Sequence, residues 1–370
     1  MEQTSRQTDY RFRLLYALGM IFVVSGHTAG GGVSLFYDWF PPYAFHMGLF
    51  VFCAGYFYKD GYTADLPGFF RRKAKRLLLP MYLWNCFYAL LVLVTRLFGF
   101  TIGLPPSFET LVTMPLYEGS QFEYNMGAWF VVPLFAAEGL AVLFRRLCPV
   151  RGKRGETAAF LLTLVLGALG VWLAQHGYRR TWWLLLLRTL YFLPFYGLGI
   201  FYRRVLEPYD RLPHGWYFAA VFFVQYLIII LCGRIPTYTP SRCDDFVEGG
   251  IVPFIVGFTA IAFWLRMAKL LEPSLGRDRW VNAVAANSYS IMVNQYLGFM
   301  CLKGGFALLH ALTGRCRDFD PALFRSELAY FYTPGGRIFY IFYLAAGLLV
   351  PILMQRAVDS AKRRINPRKG

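Results

Sequence analysis

The sequence predicts an all-α polytopic membrane protein with about ten transmembrane helices and both termini in the cytoplasm. Three observations carry that prediction. Of the 370 residues, 57% are hydrophobic and 16% charged, whereas a soluble domain carries about a quarter charged residues. The apolar residues fall in runs of the length that a bilayer requires, about 20 residues per crossing helix. The basic residues gather in short clusters between those runs, as membrane anchoring places them. Disorder, a collagen-like repeat and a small disulfide scaffold are excluded by composition alone.

The candidate spans run over 14–34, 43–58, 77–97, 127–146, 157–175, 182–202, 215–232, 247–268, 285–302 and 337–357. The second is short and follows Pro41 and Pro42, which predicts a tilted or bent crossing. With the N-terminus inside, the inner loops and ends carry 27 Lys and Arg and the outer loops 9. That excess places both termini in the cytoplasm. The longer outer segments, 98–126, 233–246 and 303–336, fall short of the roughly 50 residues an independent domain needs. No internal repeat or linker is visible, so residues 1–370 read as one membrane domain without a separate soluble domain.

The net charge of +17 would suggest nucleic acid in a soluble protein. Here no nucleic-acid module accompanies it, and the charges serve as membrane anchors. The seven cysteines show no CxxC pair and no metal-ligand spacing with His, which argues against a metal site. Cys243 and Cys316 are the cysteines well inside outer loops, and an oxidising compartment would allow them to pair. The first apolar run has no small-residue cleavage site, so it reads as a span and not as a cleaved leader.

Titratable and amide side chains inside spans are costly in hydrocarbon and are functional candidates for that reason. His27 lies 14 residues past Arg13, roughly 20 Å into the first span. Gly30, Gly31 and Gly32 follow it and permit an irregular backbone beside a cavity. An interfacial histidine bonded to a neighbouring carbonyl is the competing reading. His46 opens the second span at a similar depth, where a helix start is also a comfortable place for a histidine. His176, His214 and His310 fall near span ends and read as interfacial.

The inner loop FFRRKAKRLLLP holds Arg71, Arg72, Lys73, Lys75 and Arg76. These serve as anchors, or as a clamp for the phosphates of a nucleotide-bearing donor. Asn125 and Trp129 stand at the mouth of the fourth span, and Asn294 and Gln295 lie deep in the ninth. Helix-to-helix hydrogen bonds are the usual role of such amides. Arg188, within TWWLLLLRTL, must be paired or face a cavity.

These segments, in this order, resemble the membrane acyltransferase-3 family, bacterial integral-membrane O-acyltransferases. His27 takes the place of the family's first-span histidine. FHMGLFVFCAGYF matches its second-span pattern, with Gly48 and Ala54 as departures. Lys73, Arg76, Leu77, Leu78 and Pro80 match its basic pair and the Leu-Leu-Pro entry. Trp129 and Phe130 match its Trp-Phe pair, and Ser288, Tyr289 and Ile291 its late serine-tyrosine motif. Two positions differ: Tyr16 stands where the family has arginine, and Gln295 where it has a terminal histidine.

The resemblance covers about 13–300 and implies an enzyme of the plasma membrane. Such an enzyme moves an acyl group, acetyl in the first instance, from cytoplasmic acyl-CoA to a hydroxyl of a cell-surface polysaccharide or glycolipid. Acyl-CoA would be a co-substrate, with no cofactor bound and membrane lipids around the protein. His27 would be the catalytic base and His46 its helper, with Arg72, Lys73 and Arg76 at the donor. Asn125, Trp129, Arg188, Tyr289, Asn294 and Gln295 would line the cavity or acceptor site. The rival reading is a non-catalytic glycan or lipid export protein, or a sensor, on the same scaffold; the loss of arginine at Tyr16 favours it. A transporter should show repeated halves, and the sequence shows none.

Overall fold

The computed structural model describes residues 8–28, 36 and 39–365, and among them the chain is helical with no strand. Asp9 starts α1 (Tyr10–Gly26) by accepting the Arg11 backbone N–H at 3.1 Å, a side-chain cap that satisfies an otherwise free donor. The helix therefore begins four residues before the expected span and ends at Gly26, with His27 as its C-cap. Gly30, Gly31 and Gly32 lie outside the described residues.

A 3-10 turn at Pro42–Ala44 precedes α2 (His46–Tyr56), which has only 11 residues. At 1.5 Å per residue it is about 16 Å long, in keeping with the bent second crossing expected after the two prolines. Then come α3 (Leu66–Leu97), α4 (Val131–Leu147), α5 (Gly152–Gln175), α6 (Trp182–Phe201), α7 (His214–Cys232) and α8 (Val252–Leu275). The short α9 (Arg279–Ala286) leads into α10 (Ser288–Thr313), and α11 (Tyr340–Ile365) closes the chain.

Among the described residues eight helical stretches are long and apolar enough to cross a membrane, α4 being counted together with the Met126–Phe130 turn that leads into it; α1, with 17 residues, and α2 fall short of that length. The eight account for the third to tenth expected spans. Their lipid-facing surfaces stay apolar, with Leu97, Leu231 and Leu312 largely exposed, because a hydrocarbon solvent puts no penalty on them.

Close backbone contact holds the central helices. A Cβ on Gly55 of α2 would come within 2.1 Å of the Tyr196 carbonyl oxygen, and one on Gly199 of α6 within 2.2 Å of the Phe52 carbonyl oxygen. Only glycine permits that approach, which in a membrane replaces the hydrophobic drive that lipid does not supply.

Ion pairs tie the helices together at the face where α1 begins, the N-face. Arg145 on α4 donates to both oxygens of Glu156 on α5, at 3.0 and 2.6 Å. Arg204, beyond α6, reaches the same carboxylate at 2.6 Å and also Asp60 at 2.6 Å. Arg11 pairs with Glu207 at 3.0 Å, and Asp210 is held by Arg266 and Lys269. In the far half, the buried cations Arg188 and Lys303 instead donate to backbone carbonyls, Lys303 to Leu328 at 2.8 Å.

Cys243 and Cys316 are free thiols. Cys243 donates to the Pro240 carbonyl at 3.2 Å within the main core, and Cys316 packs beside the separate Phe319–Phe324–Tyr332 cluster. The bond that an oxidising compartment would allow between them is not formed here, and the two loops pack against different cores.

Removing Glu156 strips Arg145 of its carboxylate and leaves Arg204 with only the exposed Asp60. Breaking a buried pair from one side costs about 3 kcal/mol or more. Glu156→Ala is therefore expected to lower the melting temperature of the detergent-solubilised protein by several degrees, and an unchanged melting curve would contradict the clamp.

Candidate active site

The first histidine is placed by two helices. α1 ends at Gly26, so the His27 ring leaves the helix terminus and meets α10 about a third of the way along its length. Its Nδ1 lies 2.9 Å from the Tyr296 hydroxyl, with ring centroids 5.3 Å apart. The same hydroxyl lies 3.4 Å from Met126 Sδ. Met126 opens a 3-10 turn, Met126–Phe130, laid directly on α10. A Cβ on Gly127 would come within 2.0 Å of the Met292 carbonyl oxygen, so this seating also depends on glycine.

His46, buried at the start of α2, donates from Nδ1 to the Pro42 carbonyl at 2.5 Å. A carbonyl only accepts, so this bond puts a proton on Nδ1 and, in the neutral ring, leaves Nε2 without one. The Tyr43 ring stands edge-on to His46 at 5.1 Å, and its hydroxyl donates to the Gly26 carbonyl at 3.0 Å. Tyr43 thus joins the end of α1 to the start of α2, and the two imidazoles lie within electrostatic reach of each other.

A buried amide layer lies against the same turn. Asn125 donates to Asn85 Oδ1 on α3 at 2.6 Å, while Asn125 Oδ1 and Asn85 Nδ2 have no partner among the described residues. Asn294 accepts from Tyr88 at 2.7 Å and donates to Ser290 at 3.1 Å. Gln295 donates to the Met292 carbonyl at 3.3 Å and its Oε1 is unpaired among the described residues. Orphaned buried polar atoms are costly, and several on adjoining elements mark a place where a polar guest or water would be held.

Trp129 and Arg188 form one unit. The guanidinium sits 5.2 Å from the Trp129 ring centroid and donates to the carbonyls of Tyr117 at 2.7 Å, Glu118 at 3.0 Å and Ser241 at 2.9 Å. Arg188 ties two far-face loops to α6, with its donors already engaged.

The basic residues of α3 separate into three situations. Arg72 is exposed and pairs with Asp65 at 3.1 Å. Lys73 lies 2.6 Å from the carboxylate of Glu138, a buried residue of α4. Arg76 is exposed and, among the described residues, makes no ion pair. Lys73 precedes and Arg76 lies within a π-type turn, Ala74–Leu78, where the helix re-aims its side chains. Tyr289 donates to the Leu77 carbonyl in that turn at 3.0 Å, linking it to α10. Tyr16, on α1, lies within electrostatic reach of both Arg76 and Arg13.

The expected residues thus fall into separate places. His27 and His46 come together; Asn125, Asn294 and Gln295 belong to the amide layer; Trp129 and Arg188 lie on the far-face side; Lys73 and Arg76 lie toward the N-face. Met126, Tyr296, Tyr43, Asn85 and Glu138 escaped the sequence reading. Asn85 and Glu138 carried a usable signal, a polar side chain inside an apolar span. A tyrosine or methionine in so aromatic and apolar a chain carries none. Two surface hollows of about 420 and 450 Å³, one by Cys148 and Arg151 and one by Asp9 and Arg277, lie away from His27. Among the described residues no group of three or more His, Cys, Asp or Glu stands close enough to share a metal ion.

Comparison with known proteins gives one family and no individual relative. The profile of the acyltransferase-3 family, described as an acyltransferase domain, matches residues 9–356. A search of the curated proteins and of the solved structures finds no match. A match over nearly the whole chain joins the helical membrane architecture to one chemistry, and this chain belongs to the acyltransferase-3 family, as a multi-pass membrane acyltransferase.

Proposed function

We propose that the protein is an O-acetyltransferase of the plasma membrane that moves an acetyl group from cytoplasmic acetyl-CoA to a hydroxyl of a cell-surface polysaccharide or glycolipid. The observation that carries this reading is His27, held at the end of α1 by Tyr296 through Nδ1, with Nε2 making no hydrogen bond among the described residues. A neutral imidazole with one nitrogen held and one free is arranged as a general base.

In this reading the acceptor hydroxyl gives its proton to His27 Nε2 as its oxygen attacks the thioester carbonyl carbon. The tetrahedral intermediate collapses with cleavage of the C–S bond. The CoA thiolate leaves and takes a proton from the imidazolium, which returns His27 to its neutral form. His46, whose Nδ1 is tied to Pro42, helps place the acceptor. The unpaired atoms of Asn85, Asn125 and Gln295 suit the hydroxyls of a sugar.

The donor enters from the N-face. Arg76, exposed like Arg71 and Lys75 and like them without an ion pair among the described residues, takes the CoA phosphates because it matches the family's basic pair, and Arg72 adds charge at the surface. Lys73 supports the site through Glu138, and Tyr16 fills the family's arginine position beside Arg13 and Arg76.

We also place all ten apolar helices across the bilayer as one domain with both termini in the cytoplasm. The 27-to-9 distribution of basic residues supports this, as does the return of α11 to the N-face, since α10 and α11 run antiparallel with Ser290 bonded to the Pro351 carbonyl. A phosphatase reporter joined after Gly370, active only outside the membrane, should be silent; activity would reverse the orientation.

Loss of a general base costs about 100- to 10,000-fold in rate. His27→Ala and His27→Gln are expected to insert and melt normally while surface O-acetylation disappears, with His46→Ala partly active. Near-normal acetylation by His27→Gln would make His27 structural, because an amide cannot take the proton at neutral pH.

Arg76→Gln should weaken acetyl-CoA binding by roughly 10-fold, the order of one lost charge-assisted contact, without change in melting temperature. Lys73→Gln should lower the melting temperature instead, because it strands Glu138. Unchanged CoA affinity for Arg76→Gln would return that residue to membrane anchoring.

A further inference from the structure

We propose that Met126 and Tyr296 set the tautomer of His27, so that the ring offers an unprotonated Nε2 to the acceptor hydroxyl. The inference rests on the base role given to His27 above. One phenol oxygen lies 2.9 Å from His27 Nδ1 and 3.4 Å from Met126 Sδ. A phenol has a single proton, and a thioether sulfur only accepts. With the tyrosine proton directed to sulfur, the tyrosine oxygen accepts from Nδ1–H. A neutral imidazole protonated at Nδ1 carries its lone pair at Nε2, the nitrogen that a base must present.

The reverse arrangement competes with this one. An imine nitrogen is a stronger acceptor than a thioether, so Tyr296 can donate to Nδ1 and leave the proton on Nε2. Acceptor binding decides between them. A hydroxyl that donates to Nε2 aligns three hydrogen bonds of one polarity: acceptor to Nε2, Nδ1 to the tyrosine oxygen, tyrosine to sulfur. Each bond polarises the next. In the reverse arrangement the hydroxyl can only accept from Nε2–H, and no base remains for its proton. When the proton reaches Nε2, the imidazolium keeps Nδ1–H on Tyr296 and no heavy atom has to move.

The sulfur is held where this device needs it. Gly127 packs on the Met292 carbonyl, so the backbone beside Met126 is pinned to the helix that carries Tyr296. Tyr296 is itself buried, with its ring against Phe299. Both are positioning residues that act through His27.

The experiment measures base-labile acetyl groups on the surface of cells expressing full-length variants at matched membrane levels. Met126→Leu keeps the volume but leaves Nδ1 as the acceptor for the tyrosine proton, which stabilises the wrong tautomer. Acetylation is expected to fall by about 10- to 100-fold. Met126→Gln restores an acceptor and should stay within a few-fold of the parent, which separates the lost acceptor from a folding defect. Tyr296→Phe removes the competing donor, so the double variant M126L/Y296F should recover to the level of Y296F, above M126L alone.

Wild-type acetylation by M126L, a double variant no better than M126L, or M126Q as impaired as M126L overturns the proposal. His27→Gln measured alongside separates the two levels of inference. An active His27→Gln removes the base reading itself, whereas an inactive one beside an unaffected M126L removes only the tautomer device.

Discussion

Hydrocarbon offers no hydrogen bonds, and the rest of this structure follows from where its polar groups find partners instead. The constraint is severe, since an unsatisfied polar group in the bilayer costs several kcal/mol. It is met in different ways at different depths. Near the N-face, carboxylates and guanidinium groups pair across helices, as Glu156 does with Arg145 and Arg204. In the far half, Arg188 and Lys303 donate to loop carbonyls. Between them lies a layer of amides, tyrosines and two histidines, several of whose atoms stay unpaired. The lipid-facing surface carries almost none of this, and so the polar groups sit inside the bundle.

The site inherits its geometry from that arrangement. α1 stops at Gly26 and releases His27 toward α10, and the Met126–Phe130 turn closes over the same helix. Neither feature uses a long or charged side chain. Glycines set the distances, at Gly127 against α10 and at Gly55 and Gly199 where α2 meets α6. A chain that brings backbone this close has fixed the positions of its polar side chains before any substrate arrives, the condition under which a base works without reorganisation.

Much of this was legible in the sequence, and for identifiable reasons. Apolar runs of bilayer length report helices because length and hydropathy are local properties, and eight of the ten expected spans appear as full-length helices. The short α2 was announced by Pro41 and Pro42. The end of α1 was not, because nothing in the run from Leu14 to Val24 marks Gly26 as its last residue. His27 and His46 stood out by the cost of imidazole in hydrocarbon. Tyr296 and Met126 did not, because their role depends on a contact spanning 170 residues and on residue types abundant throughout the chain. Lys73 and Arg76 looked equivalent as charges. Only the buried Glu138 separates them, and its partner is decided by helix packing.

The central claim is that acyl transfer takes place at His27, inside the bundle, with the donor entering from the N-face. The most direct measurement is a structure of the protein bound to an acetyl-CoA analogue in which a methylene replaces the thioester sulfur. The account predicts the nucleotide phosphates beside Arg76 and the acetyl carbonyl next to His27. The gap to Nε2 should admit one hydroxyl within hydrogen-bond reach of the ring, about 3 Å. An acetyl group resting at either N-face hollow, with the His27 ring still enclosed by protein, would contradict it.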